Sequence, residues 1–255
     1  MKKTSISIVG SGNVGTHMAI ALHAAGYHIH QLLSRSFDHA QTLAARVEAQ
    51  PVSRPDQLDS HVGFCLLCVA DDVLYDFALD LRLPQTVVAH TSGTTPASVL
   101  KRISRHHGVM WSPQTFVRDI AMDYTRLPLC IEGSTPTALK TVEEVASSIS
   151  PCIYHLTLDQ RRIAHLGAVL VSNFTNAINA SAQELMDAAG LDFAMLRPLA
   201  EQTLHKWDFG NLWAQQTGPA RRGDTKTLDA QRRLLAHNPQ LLDLYDRLTE
   251  LIQSR

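Results

Sequence analysis

Charge is scarce in this sequence. Charged residues make up 18% of the 255, and 23 lysines and arginines nearly cancel 24 aspartates and glutamates to leave a net charge of -1. An average soluble domain carries about 25% charged residues. A chain so balanced exerts no general pull on nucleic acid or an anionic membrane surface, so neither is expected as a partner. Cysteine is sparse as well: Cys65, Cys68, Cys130 and Cys152. The first two have the spacing of a thiol redox pair, but they lie in the apolar run 64–69, which reads as a strand. Positions three apart on a strand face opposite sides, so the two sulfurs cannot meet and read as small core residues. The thirteen histidines fall into no metal-ligand spacing; His28 and His30 share a strand face but lack a third ligand, and no metal is expected. A continuous hydrophobic span is missing too. The longest uncharged stretch, 163–183, is long enough for a bilayer but contains His165, Asn173, Asn176, Asn179 and Gln183. Those groups are too costly in lipid, and the stretch reads as a buried helix of a soluble protein. The N-terminus lacks the pattern of a secretory signal, which makes a cytoplasmic location the expectation.

What is present is 45% hydrophobic sequence, enough for a folded chain that needs no disulfide or metal staple. Apolar runs predict strands at 5–9, 29–34, 62–69, 86–90, 108–111, 129–132 and 152–155. Amphipathic stretches predict helices at 13–25, 38–49, 72–81, 97–106 and 136–149. That alternation implies βαβ units and a mainly parallel sheet, an α/β fold. Beyond 156 only helices are expected. Ile163, Leu166, Leu170, Phe174, Ala177, Ile178, Ser181 and Leu185 step by three and four along one face, and Gly190 is a plausible stop. Further helices are expected at 192–207, 224–235 and 239–252. The chain therefore reads as two domains, 1–156 for dinucleotide binding and 157–255 as an all-helical domain for substrate binding and dimerisation.

Residues 10–15, Gly-Ser-Gly-Asn-Val-Gly, follow the first strand and open the first helix. In the G-x-G-x-x-G pattern Gly10 allows the tight turn, Gly12 lets the backbone approach a pyrophosphate, and Gly15 brings helix and strand close. The helix end at Ser11, Asn13 and Val14 then supplies free N–H groups and a positive dipole end. Binding the 2′-hydroxyl of NAD calls for an acidic residue about twenty positions on; this sequence has Ser34-Arg35-Ser36 instead. Arg35 can take a 2′-phosphate in a forked geometry with the serines beside it, which favours NADP over NAD. A solvated loop arginine is the simpler alternative. Val69 and Ala70, and Thr91, Ser92 and Gly93, end two later strands and face the same crevice, where they can contact the nicotinamide ribose. Asp72 reads as a cap of the helix after it.

The glycine loop, His90-Thr91-Ser92-Gly93, Pro113-Gln114-Thr115-Phe116, Ser172-Asn173-Phe174-Thr175-Asn176 and the Thr-Gly-Pro-Ala-Arg-Arg-Gly-Asp run at 217–224 occur in this order. The series resembles a family of bacterial Rossmann-like oxidoreductases with a helical C-terminal domain of unknown function. The N-terminal half is similar to pyrroline-5-carboxylate reductase and the deazaflavin-dependent NADP oxidoreductases. The two-domain plan resembles the 6-phosphogluconate and β-hydroxyacid dehydrogenases. The resemblance implies an NADP-type Rossmann domain with a helical domain that builds a homodimer, and names no substrate. Two positions depart from it: Ser112 stands where a histidine is common before Pro113, and Val169 stands where the β-hydroxyacid dehydrogenases place a lysine.

Polar residues His165, Ser172, Asn173 and Asn176 line a second stripe of the long uncharged helix, together with Val169. Unpaired buried polar groups cost about 1–3 kcal/mol each, so such a stripe needs partners. One reading is a substrate pocket, with His165 exchanging a proton during hydride transfer and Asn173 orienting a substrate oxygen. The other is hydrogen bonding between helices. Gln114, Ser172 and Asn176 are candidate substrate contacts. Arg221 or Arg222 can bind a substrate carboxylate or phosphate from a loop at 217–224, unless an Arg222–Asp224 pair fixes that loop and Asp224 caps the next helix. The sequence thus leads to an NADP-dependent oxidoreductase acting on a small carbonyl, imine or alcohol at an interdomain cleft. The alternative is a non-catalytic NADP-binding sensor or scaffold.

Overall fold

The computed structural model describes residues 3–255. Its first part alternates β1 (Ile6–Val9), α1 (Asn13–Ala24), β2 (Ile29–Leu33), α2 (Phe37–Arg46), β3 (Gln50–Val52), β4 (Phe64–Leu67), α3 (Asp71–Asp80), β5 (Val87–His90), β6 (His107–Trp111), β7 (Leu129–Gly133), α4 (Pro136–Ser147) and β8 (Ile153–His155). The sheet order is β3-β2-β1-β4-β5-β6-β7-β8. β1 to β6 are parallel, β7 turns antiparallel to β6, and β8 runs parallel to β7. The order reverses between β1 and β4, so a crevice opens at the carboxyl ends of those two strands.

The strands are apolar on both faces because both faces are covered. One face carries Ile8, Leu66, Ala89 and Met110 against α1, α2 and α4. The other carries Val9, Cys65, Leu67 and Val88. Cys65 and Cys68 belong to opposite clusters, as the strand period requires, and burial pushes both thiols up to about 12. Two elements differ from expectation. β3 is an additional three-residue edge strand, short and with Pro51 at its centre, a position proline tolerates only at an edge. Within 97–106 only Ala97–Arg102 is helical, as two turns of 3₁₀ helix rather than a full α-helix. Ser104 ends it by donating to the Thr86 carbonyl at 2.7 Å while accepting from the His106 amide at 3.1 Å.

After β8 every element is helical. α5 (Leu158–Ala168) starts at a reciprocal Thr157–Gln160 cap and passes through a π-helical turn, Val169–Phe174, into α6 (Thr175–Ala188). Gly190, at φ +71°, follows as the stop. α7 (Arg197–His205), α8 (Pro219–Arg222), α9 (Thr225–Leu234) and α10 (Pro239–Gln253) complete the chain. Compactness divides it after Asn173, one helix later than the last strand, because α5 packs with the sheet; the second unit is Phe174–Arg255.

Two expectations are corrected here. The segment 163–183 is not buried: Ile163 is 70% exposed, and Leu166, Leu170 and Phe174 are more than half exposed. Periodicity identifies which residues share an apolar face, and burial of that face does not follow from it. Residues 217–224 are not loop throughout, because Pro219, with its φ preset for helix, opens the one-turn α8. None of the described helices is long and apolar enough to cross a membrane.

Candidate functional site

The glycine loop is shaped by contact. Gly10 has φ +105°, and a β-carbon there would lie 2.2 Å from the Cys68 carbonyl oxygen; one on Gly15 would lie 1.9 Å from the Gly10 carbonyl. Gly12 is the opposite case, with no atom within 4 Å of where its β-carbon would be. The first and third glycines therefore serve packing, and the second borders open space at the N-terminus of α1, where amides lack partners.

That space is a cavity of about 610 Å³. The glycine loop, Ser34, Arg35 and Ser36 from the end of β2, Val69 and Ala70 from the end of β4, and Arg118 line it. The Ser11 and Ser34 hydroxyls are joined at 2.7 Å, so the loop and the β2 end are fixed together. Ser36 is partly committed elsewhere, since its hydroxyl accepts the His39 amide at the start of α2. Arg35 is exposed at the wall. Asp72 is not the cap of α3: Ala70 holds that position, and Asp71 accepts from Thr94 Oγ1 at 2.7 Å.

Two smaller cavities follow. Val14 of α1, Thr91, Trp111, Ser112, Gln114 and Phe116 line one of about 110 Å³. Another, of about 230 Å³, is lined by Trp111, Ser112, Gln114, Thr115, His165, Val169, Ser172 and Asn173. Trp111, Ser112 and Gln114 are common to both, so α1 of the glycine loop and the histidine of α5 share a wall. The Ser112 hydroxyl is buried in that wall without a hydrogen-bond partner. The His165 and Trp111 rings lie 5.9 Å apart, and a β-carbon on Gly93 would fall 2.5 Å from the His165 ring. Thr115 Oγ1 and Ser172 Oγ are 3.3 Å apart, which accounts for part of the polar stripe within the chain.

Below this wall the turn after β5 is held from inside. The Ser92 hydroxyl accepts the Thr94 and Thr95 amides, and His90 Nδ1 accepts the Ser92 amide. Arg161, with its side chain 1% exposed, donates to the Ser92 and Thr95 carbonyls and to Glu132. Burial, reinforced by the Arg161 charge, pushes His90 down to about 4, so it is neutral at physiological pH.

The remaining candidates, Asn176, Arg221 and Arg222, belong to the second unit. Asn176 is exposed on α6. Arg221 donates to the backbone carbonyl of Arg255 at 2.8 Å. Arg222 lies near enough to Asp224 to help hold its carboxyl below the usual range, behind the larger effect of Thr227, whose amide Asp224 accepts as the cap of α9. Sequence reasoning missed Arg118, Trp111 and Arg161, and gave His90 and Thr115 no role of their own although both lie in motifs that carry the resemblance. For Arg161 the signal was a charge one turn into an otherwise apolar-faced helix; for Arg118 and Trp111 no local pattern marks them.

Residues 1–112 match the Rossmann-like domain, and residues 127–252 match a domain of unknown function, DUF2520. The crystal structure of a putative NADP oxidoreductase from Bacteroides fragilis is similar over 100% of this chain and 99% of its own, with 30% identity and a TM-score of 0.91. The chain belongs to the Rossmann-like family with a C-terminal DUF2520 domain. An imine reductase from Myxococcus stipitatus in complex with NADP+ shares the fold at 11% identity and TM-score 0.69, over 98% of this chain and 93% of that one. A pyrroline-5-carboxylate reductase from Coxiella burnetii does so at 17% identity and TM-score 0.55, over 99% and 97%. No curated protein matches the chain by sequence. Within the Rossmann-like/DUF2520 family member described here, Gln114, Thr115 and Arg118 lie in the stretch between the two matched domains.

Proposed function

We propose that the protein is an NADP-dependent oxidoreductase for a small carbonyl, imine or alcohol substrate. The observation that carries this reading is the wall shared by the cavity at the first turn of α1 and the cavity holding His165. The residues present fit a nicotinamide dinucleotide: Gly12 leaves backbone open to a pyrophosphate, and Ser34 and Arg35 stand where a 2′-phosphate is read. When bound, the nicotinamide gives or accepts a hydride. Thr91 and Val14 border the space next to the wall that Trp111 helps to form. His165 exchanges the proton at the substrate oxygen or nitrogen, and Asn173 and Ser172 orient that atom. The exposed apolar residues of α5 and α6 support a second copy of the chain as partner, because so much bare apolar surface is unusual on a monomer.

The test is direct titration followed by turnover. NADPH is expected to bind more tightly than NADH, and Arg35→Ala to remove most of the difference. Oxidation of NADPH with a panel of keto acids and cyclic imines would then identify the substrate class. His165→Gln is expected to slow turnover about 10²- to 10⁴-fold with cofactor affinity unchanged. Tighter NADH binding would overturn the NADP assignment, and full activity in His165→Gln would remove the histidine from the chemistry.

A further inference from the structure

Arg118 belongs to none of the motifs that define the dinucleotide site, yet it lines the same cavity as Gly10, Ser11 and Gly12. It sits in the irregular connector between β6 and β7, more than a hundred positions from the loop it meets. Its Nη2 donates to the Ser11 carbonyl at 3.0 Å, while its buried Nε has no acceptor in the protein. The connector is itself tied down. His17, buried in α1, donates from Nε2 to the Val117 carbonyl at 2.8 Å, and its Nδ1 lies 2.9 Å from the Tyr124 hydroxyl. The residue next to Arg118 is thus pinned to the helix that carries the glycine loop.

We infer that Arg118 is a second cationic reader of the dinucleotide, acting on the pyrophosphate. A guanidinium has five donors in a planar fork. One is used on the Ser11 carbonyl, and the fork borders a cavity whose other cationic group, Arg35, stands at the end of β2. Attachment to the glycine loop places Arg118 at the pyrophosphate rather than at the 2′-phosphate. Phosphate suits this fork because charge-assisted, paired hydrogen bonds are the strong ones. Arg118 and Arg35 therefore divide the work: the first binds NADPH and NADH alike, and the second separates them. This inference rests on the dinucleotide reading of the cavity.

Calorimetric titration of the whole chain with NADPH and with NADH, at low and high salt, tests it. Arg118→Met is expected to weaken both by about tenfold to a hundredfold, with a shallower salt dependence than the parent chain, and Arg118→Lys to recover part of the loss. A purely structural brace on Ser11 would leave the salt dependence unchanged, and that result overturns the proposal. So does a loss confined to NADPH, which would put Arg118 at the 2′-phosphate, or unchanged affinity in a variant whose melting temperature is also unchanged. If Arg118→Met fails to fold, Arg118→Gln, which also removes the charge but keeps a donor for the Ser11 carbonyl, carries the same test. If the parent chain binds neither dinucleotide, the dinucleotide reading itself fails and takes this inference with it.

Discussion

Arg161 and Glu132 meet at 3.1 Å between Nη2 and Oε2, the arginine enclosed and the glutamate 30% exposed. The other arm of the guanidinium holds the carbonyls of Ser92 and Thr95 at 2.8 and 2.9 Å. One side chain thereby joins α5, β7 and the turn after β5. Arg161→Met should cost about 3–5 kcal/mol, the usual loss when one partner of a buried pair is removed. A fall in the urea midpoint with an unchanged slope would show it; a loss under about 1 kcal/mol would mean the turn holds without the arginine.

The glycines of the loop should separate folding from binding. Gly12→Ala is expected to leave thermal stability nearly unchanged, since its β-carbon meets nothing, while weakening dinucleotide binding. Gly10→Ala and Gly15→Ala should instead lower the melting temperature sharply, each driving a methyl into a carbonyl oxygen. A Gly12→Ala variant that melts as early as the other two would refute the division.

Acid should destabilise the first unit through His90. Its folded value of about 4 lies below the ordinary 6.5, so between those values the unfolded chain takes up a proton that the folded one refuses. The contribution is complete above about pH 6.5, declines as pH falls and levels off near 4. It amounts to roughly 3 kcal/mol for the full interval. His90→Asn, which retains an acceptor for the Ser92 amide, should flatten that part of the stability profile. An unchanged slope would assign the acid sensitivity elsewhere.

The bare apolar face makes a prediction about assembly. Ile163→Glu combined with Ile178→Glu should turn a dimer into a monomer in sedimentation, with helix content retained. A parent chain that sediments as a monomer at micromolar concentration would show that nothing of its own kind covers the face.

What could be read from residues alone was what depends on near neighbours. The strand–Gly10–Gly12–helix sequence, the Asp224 cap and the Gly190 stop are all set within a few positions. What escaped depends on distant partners. Arg161 finds Ser92 across 69 positions, and Arg118 finds Ser11 across 107, so no period announces either. The three-residue β3 is too short to impose an alternation. The uncharged helix was misjudged for another reason: spacing shows which face is apolar and is silent about what lies against it.

The contact of Gly93 with the His165 ring has an evolutionary consequence. With only 2.5 Å between the ring and the place a β-carbon would take, position 93 is free to vary only in a chain whose residue 165 is smaller or turned away. The two positions should therefore change together among homologues. A lineage that has lost the imidazole would be recognisable by side chains accumulating at 93, well before its chemistry is assayed.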